Sequence, residues 1–163
     1  IDWLEAVIRN LASDEDLALI YPDEYLYTYK TQESILLSYS SCGNGGYSGD
    51  WLNGSNDWIY QPIFSIVDKM SELAKRFPNE NGLKRRALNH AAREVLLSQS
   101  SDWPFILKGG TAVPFATKQF REHINNFLKI YNDLSGNNVD TEWLTTTEKK
   151  NSLFPDIDYR IFR

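Results

Sequence analysis

Apolar residues recur at intervals of three and four along most of this chain, and the intervals break at prolines, glycines and clusters of polar residues. From Asp57 onwards, Ile59, Ile63, Ile66, Val67, Met70, Ala74 and Phe77 fall on one face of a helix of about five turns, which Pro78 stops. A second core helix over residues 83–98 aligns Leu88, Ala91, Ala92, Val95 and Leu96, with Lys84, Arg85, Arg93 and Glu94 largely on another face. The third and longest starts near Val113, where Pro114 suits a first turn, and carries Phe120, Ile124, Phe127, Tyr131 and Leu134 to a stop at Gly136.

Shorter elements surround these three. Leu4, Val7, Ile8 and Leu11 share one face of a short amphipathic helix with Asp2 as its N-cap. Pro22 opens a second brief helix through Leu26, and Asp140 is placed as the N-cap of a last one through Trp143, Leu144 and Glu148. Residues 34–39 predict an extended piece entering a glycine-rich turn. The Asp102-Trp103-Pro104 stretch predicts a break, Gly109-Gly110-Thr111 a further turn, and Phe154 to Tyr159 an extended tail. The expected fold class is all-α: a bundle of three long helices plus short ones, with irregular loops that bear the tryptophans, spanning 1–163 as one helical domain.

Composition narrows what such a bundle does. A chain of 163 residues buries enough surface to stand without metal or disulfide staples. Its net charge of −5 opposes a nucleic-acid partner, and it has no apolar run long enough for a membrane span. One cysteine, Cys42, excludes an internal disulfide, and the two histidines are too far apart for the usual metal spacing; we expect no metal, no cofactor and a cytoplasmic setting. The chain does not begin with methionine, so it is expected to be cut from something longer.

Candidate chemistry lies in the loops. The turn Ser41-Cys42-Gly43-Asn44-Gly45-Gly46-Tyr47 lacks the Lys-Ser/Thr that a phosphate loop requires, which leaves a positive-φ turn that brings backbone close to something. Trp51, Trp58 and Trp103 stand near loops or helix starts, where the choice is between core packing and a ligand surface. Asp102 has three readings: a catalytic acid, an acceptor for sugar hydroxyls, or the cap of a turn. No second carboxylate is tied to it by local spacing, as glycoside chemistry normally requires. His90 and His123 lie within helical runs, where a histidine bonded to a carbonyl or carboxylate is commoner than a base. Aromatic faces with amides and a carboxylate nearby point to carbohydrate, whose C–H faces stack on rings while its hydroxyls need planar partners.

The run Ala87 to Ile106, which contains Gln99-Ser100-Ser101-Asp102-Trp103-Pro104-Phe105, resembles the C-terminal helical domain of family 57 glycoside hydrolases of the 1,4-α-glucan branching enzyme type. So do Phe115 to Phe127, the Glu142-Trp143-Leu144 helix and the ending Leu153 to Arg160. The resemblance implies that a nucleophile and a general acid of a retaining mechanism lie in an N-terminal β/α barrel outside this chain. The helical domain then helps complete the cleft for α-glucan, whether glycogen or amylose-like chains. The resemblance aligns Ser40 to Gly46 with a family turn that ordinarily carries a tryptophan and a glutamate, with Trp51 matching a second tryptophan; here Cys42 and Asn44 take the first two places. It makes Tyr47, Trp51, Asp102 and Trp103 substrate-binding residues and assigns no catalytic residue to this chain. The competing expectations are a non-catalytic glucan-binding module, a purely structural helical module, and a domain of a hydrolytic α-amylase-like relative.

Overall fold

The computed structural model describes residues 1–30 and 33–163, the side chain of Asn44 excepted, and the described residues contain helices and turns but no strand. The chain divides into two compact units, residues 1–39 and residues 40–163.

The first unit holds α1 (Asp2–Ser13) and α2 (Pro22–Thr28). The amphipathic spacing makes α1 a helix as expected, with Glu5 and Arg9 paired one turn apart at 2.8 Å. Asp2, however, is the first helical residue and caps nothing with its side chain; it contributes instead as negative charge in the first turn. Pro22 opens α2 at a position whose N–H has no helical partner. Residues 33–40 carry no regular secondary structure. None of the residues of α1 or α2 is buried.

The second unit is the bundle: α3 (Tyr60–Arg76), α4 (Gly82–Ser98), α5 (Asp102–Gly109), α6 (Val113–Ser135) and α7 (Thr141–Lys150). Ile63, Ile66, Met70, Leu73 and Ala74 of α3 meet Phe120, Ile124, Phe127 and Ile130 of α6 in one core. Between them α4 brings Ala87, Ala91 and Ala92, all fully buried, and these short side chains let its neighbours approach closely. α4 is the central helix, packed against α3, α6, α7 and the one-turn 3-10 helix Tyr159–Phe162.

That centrality corrects the expected polar face of α4. Arg93 and Glu94 are buried, because a helix with neighbours on several sides has little solvent-facing stripe left for them. Two further expectations change. The break at 102–104 is the first turn of α5, where Pro104 is tolerated because the N–H it lacks has no intrahelical acceptor. The tail does not run extended: Phe154 takes φ of 55°, Ile157 N–H donates to Phe154 O at 3.2 Å, and the chain turns back. Tyr159 then fastens it, its hydroxyl donating to Phe77 O at 2.6 Å and its N–H to Asn89 Oδ1 at 3.1 Å.

Side-chain capping is confined to a few ends: α1 to α6 have no side-chain N-cap bond. Asp140 accepts from Trp143 N–H at 3.0 Å and starts α7, and Gly110 closes α5 in the left-handed region at φ of 80°. At the end of α6 it is Asn137, with φ of 52°, that takes the left-handed position next to Gly136.

Candidate functional site

The loop of residues 41–56 is a compact fold-back held by both backbone and side-chain hydrogen bonds of its own. Gly43 makes it feasible: its φ is 108°, and a Cβ there would stand 2.4 Å from Asp50 Oδ2. Ser41 N–H donates to Gly46 O at 2.7 Å, and the N–H groups of Trp51 and Leu52 both donate to Ser48 O at 2.9 Å. Asn56, fully buried, ties this loop to α5: its Nδ2 donates to Asp50 O at 3.0 Å and to Pro104 O at 3.1 Å, and its Oδ1 accepts from Asn53 N–H at 2.8 Å.

The result is a fixed aromatic ring. Trp51 is half-buried, its Nε1 donates to Cys42 O at 2.9 Å, its carbonyl accepts from the Tyr60 hydroxyl, and its ring lies 6.2 Å from that of Phe105 at a tilt of 36°. Burial raises the Tyr60 hydroxyl above its ordinary pKa and keeps it a donor. Tyr47 is 73% exposed and Phe105 57%, so two more aromatic faces on these elements meet solvent. Cys42, where the resemblance leads one to expect an aromatic, is an exposed free thiol.

Asp102 and Trp103 occupy a different place. Trp103 is half-buried, with Nε1 donating to Leu97 O at 2.8 Å, so its indole fastens the start of α5 to the end of α4. Asp102 is exposed, and its Oδ2 accepts from Ser100 Oγ at 3.1 Å rather than capping the helix. Both line a cleft of about 330 Å³, and Trp51 and Tyr47 do not. The four sequence-predicted residues therefore fall into two groups, one on the glycine-rich loop and one beside the α4–α5 junction.

Beneath the second group lies a cluster that the residue pattern only half revealed. Glu94, fully buried, accepts from His123 Nδ1 at 2.7 Å, from Asn151 Nδ2 at 2.7 Å and from Asn126 Nδ2 at 3.3 Å. His90 Nε2 stands 3.1 Å from the same carboxylate, close enough for attraction though out of line for a hydrogen bond. Burial pushes the Glu94 carboxyl up, but the hydrogen bonds from His123 and Asn151 and the nearness of His90 outweigh it and hold it down at about 2. Arg93 Nη1 lies 3.1 Å from His90 Nδ1, and since a guanidinium only donates, that nitrogen accepts and Nε2 carries the ring proton. Both histidines are thus held by a carboxylate, as their helical positions led us to expect. The spacing of His90 and Glu94, one helical turn apart, was the available signal; the contribution of His123 and Asn151 from other helices left none. Among the described residues no group of His, Cys, Asp or Glu is arranged to hold a metal ion, and no helix is long and apolar enough to cross a membrane.

Comparison with known proteins adds descent to this geometry. Residues 63–162 match a family model described as 1,4-alpha-glucan branching enzyme, C-terminal. The chain is 28% identical over 135 residues to the 1,4-alpha-glucan branching enzyme TK1436 of Thermococcus kodakarensis, an alignment covering 82% of this chain and 20% of that protein. It therefore spans about a fifth of the length of that relative. Among solved structures, TK1436 in complex with glucose and additives superposes with a TM-score of 0.86 at 23% identity, covering 99% of this chain and 30% of the other. The GH57-type branching enzyme from Pyrococcus horikoshii gives 0.79 at 23%, covering 93% and 30%. The alpha-amylase AmyC from Thermotoga maritima gives 0.70 at 28%, covering 98% and 29%.

Proposed function

Because the chain belongs to the family of C-terminal domains of 1,4-alpha-glucan branching enzymes, we propose that it forms one wall of the glucan cleft in a retaining branching reaction. In this reading the nucleophile and the general acid belong to an N-terminal β/α barrel of the same polypeptide. The chain itself contributes contacts and no bond-breaking group. The substrate is α-glucan, glycogen or amylose-like, and the setting is cytoplasmic, without nucleic-acid or membrane partners.

The observation that carries the proposal is the immobilised Trp51 ring beside exposed Phe105. A ring fixed before binding stacks on a sugar face without further ordering cost. Transfer in place of hydrolysis requires an acceptor chain to be held against the covalent intermediate while water is kept away, and an aromatic wall from a second domain serves both needs. Cys42 in place of a stacking ring leaves Trp51 and Tyr47 as the aromatics of this loop. The test is calorimetric titration of the full-length protein with maltoheptaose. Replacing Tyr47 and Trp51 together by alanine is expected to weaken binding about tenfold or more, since an exposed aromatic anchor contributes on the order of 1 to 2 kcal/mol. An unchanged affinity refutes the proposed wall.

Two observations favour secondary readings. The Trp103 indole spends its N–H on Leu97 O, which supports a structural role for that residue. The similarity to an alpha-amylase supports hydrolysis as the alternative reaction class.

A further inference from the structure

Independently of the glucan reading, we propose that Asn81 is a site of spontaneous covalent modification, where the backbone nitrogen of Gly82 converts the side-chain amide to a carboxylate. This chemistry belongs to Asn-Gly pairs, because glycine has no Cβ to block its own nitrogen as that nitrogen attacks the preceding side chain. Three such pairs occur in the chain: Asn44-Gly45, Asn53-Gly54 and Asn81-Gly82. The structure separates the last two by how it holds the asparagine.

Asn53 is half-buried and fastened. Its Nδ2 donates to Gly49 O at 2.9 Å, and its Oδ1 accepts from Ser55 N–H at 2.9 Å and from the Ser55 hydroxyl. Its carbonyl accepts from Asn56 N–H at 3.0 Å and from Asp57 N–H at 2.9 Å, which opposes the rotation of the backbone that attack requires. Asn81 is exposed at the N-cap of α4, and among the described residues its side chain has no hydrogen-bond partner. Its carbonyl accepts from Arg85 N–H at 3.5 Å, a long contact that resists rotation from ψ of 171° only weakly. Gly82 is the first residue of α4, a position whose N–H has no intrahelical acceptor. No atom lies within 4 Å of where its Cβ would stand, and it lines a surface cleft of about 380 Å³, so water and hydroxide reach its N–H.

The steps need only water. Hydroxide takes the Gly82 N–H proton, the nitrogen bonds to Asn81 Cγ, the Cγ–Nδ2 bond breaks, and ammonia leaves with a proton from water. Water then opens the resulting five-membered succinimide, at the side-chain carbonyl to give aspartate or at the backbone carbonyl to give isoaspartate. Each product places a new negative charge at the start of the central helix, whose first turn has no acidic residue. Aspartate keeps the chain geometry, and its charge there stabilises α4. Isoaspartate routes the main chain through Cβ and Cγ and adds one atom between Glu80 and α4. Glu80 is tied in place: its N–H donates to the Tyr159 hydroxyl at 3.2 Å, and that hydroxyl donates to Phe77 O. The added atom therefore strains the turn between α3 and α4 against the tail that fastens it.

The experiment is incubation of the full-length protein at mildly alkaline pH, followed by tryptic digestion and tandem mass spectrometry to locate each converted asparagine. In the folded protein Asn81 is expected to convert about tenfold or more faster than Asn53, which has to give up its hydrogen bonds first. In denaturant the two are expected to convert at similar rates, since the difference lies in the fold. Asn81→Gln, whose longer side chain closes a less favourable six-membered ring, is expected to abolish conversion at that position while the protein stays folded. Asn81→Asp reproduces one product and is expected to raise the midpoint of thermal unfolding by about 1 to 3 degrees. An Asn81 that stays intact in the folded protein while it converts in denaturant overturns the proposal, as does folded Asn53 converting as fast as Asn81. An Asn81→Asp midpoint at or below that of the parent overturns the stabilising effect assigned to the new charge.

Discussion

Glu94 carries the most demanding single-residue chemistry in this chain. Four side chains surround its carboxylate, and His123 Nδ1, Asn151 Nδ2 and Asn126 Nδ2 all donate to it. A glutamine at this position has one acceptor oxygen and one donating amide, so at least one neighbour is left facing another donor. Glu94→Gln is therefore expected to lower stability at neutral pH by about 3 to 5 kcal/mol, the usual scale for breaking a buried charge network. The pH dependence follows from the depressed carboxyl. Its folded value of about 2 lies below its ordinary 4.5, so its stabilisation is complete above pH 4.5 and is lost as the pH falls from there towards 2. Urea denaturation of both proteins at a series of pH values checks this: the gap between them is expected to be constant near neutrality and to narrow through that acid window. Asp158 is also held at about 2, chiefly by its hydrogen bonds from Arg160, but that pair is exposed at the surface and salt weakens it, which separates the two in high-salt acid titrations.

Among the elements, the loop of residues 41–56 is the one whose shape the proposed function depends on. Asn56 joins it to α5 through the Pro104 carbonyl, so Asn56→Ala is expected to cost about 1 to 3 kcal/mol and to weaken maltoheptaose by loosening Trp51. Denaturant melts paired with sugar titration check both parts. This element also marks where the sequence stopped being informative. The long helices were legible because Ile63, Ile66 and Met70, or Phe120, Ile124 and Phe127, repeat at helical spacing on one face. α5 was not, since Pro104 reads as a breaker until its place in the first turn is known. The burial of Arg93 and Glu94 was hidden for a different reason: periodicity reports one apolar face and says nothing of how many neighbours a helix has. Partners far apart in the chain, such as Asn56 with Pro104 or Glu94 with Asn151, have no local signature. Of the candidate site, the residue types were legible and their division into two places was not, because whether Trp51 and Trp103 share a cleft depends on which side of α5 each one meets.

At the scale of the molecule, the bundle of residues 40–163 supplies rigidity, and the functional claim lies in what it holds out. The family match covers the bundle from α3 to the Tyr159 turn, whereas Tyr47 and Trp51 precede it. In the proposed function this loop carries the glucan contact, and Trp51 is the residue on which that proposal depends. The most direct measurement is branching by the full-length enzyme carrying Trp51→Ala, assayed on amylose per folded molecule alongside its thermal unfolding. The account predicts that branching falls about tenfold or more, the loss of an anchor of on the order of 1 to 2 kcal/mol, while the midpoint of unfolding moves by only a few degrees. Branching at the parent rate, with or without a lowered midpoint, contradicts it and leaves the chain a structural support.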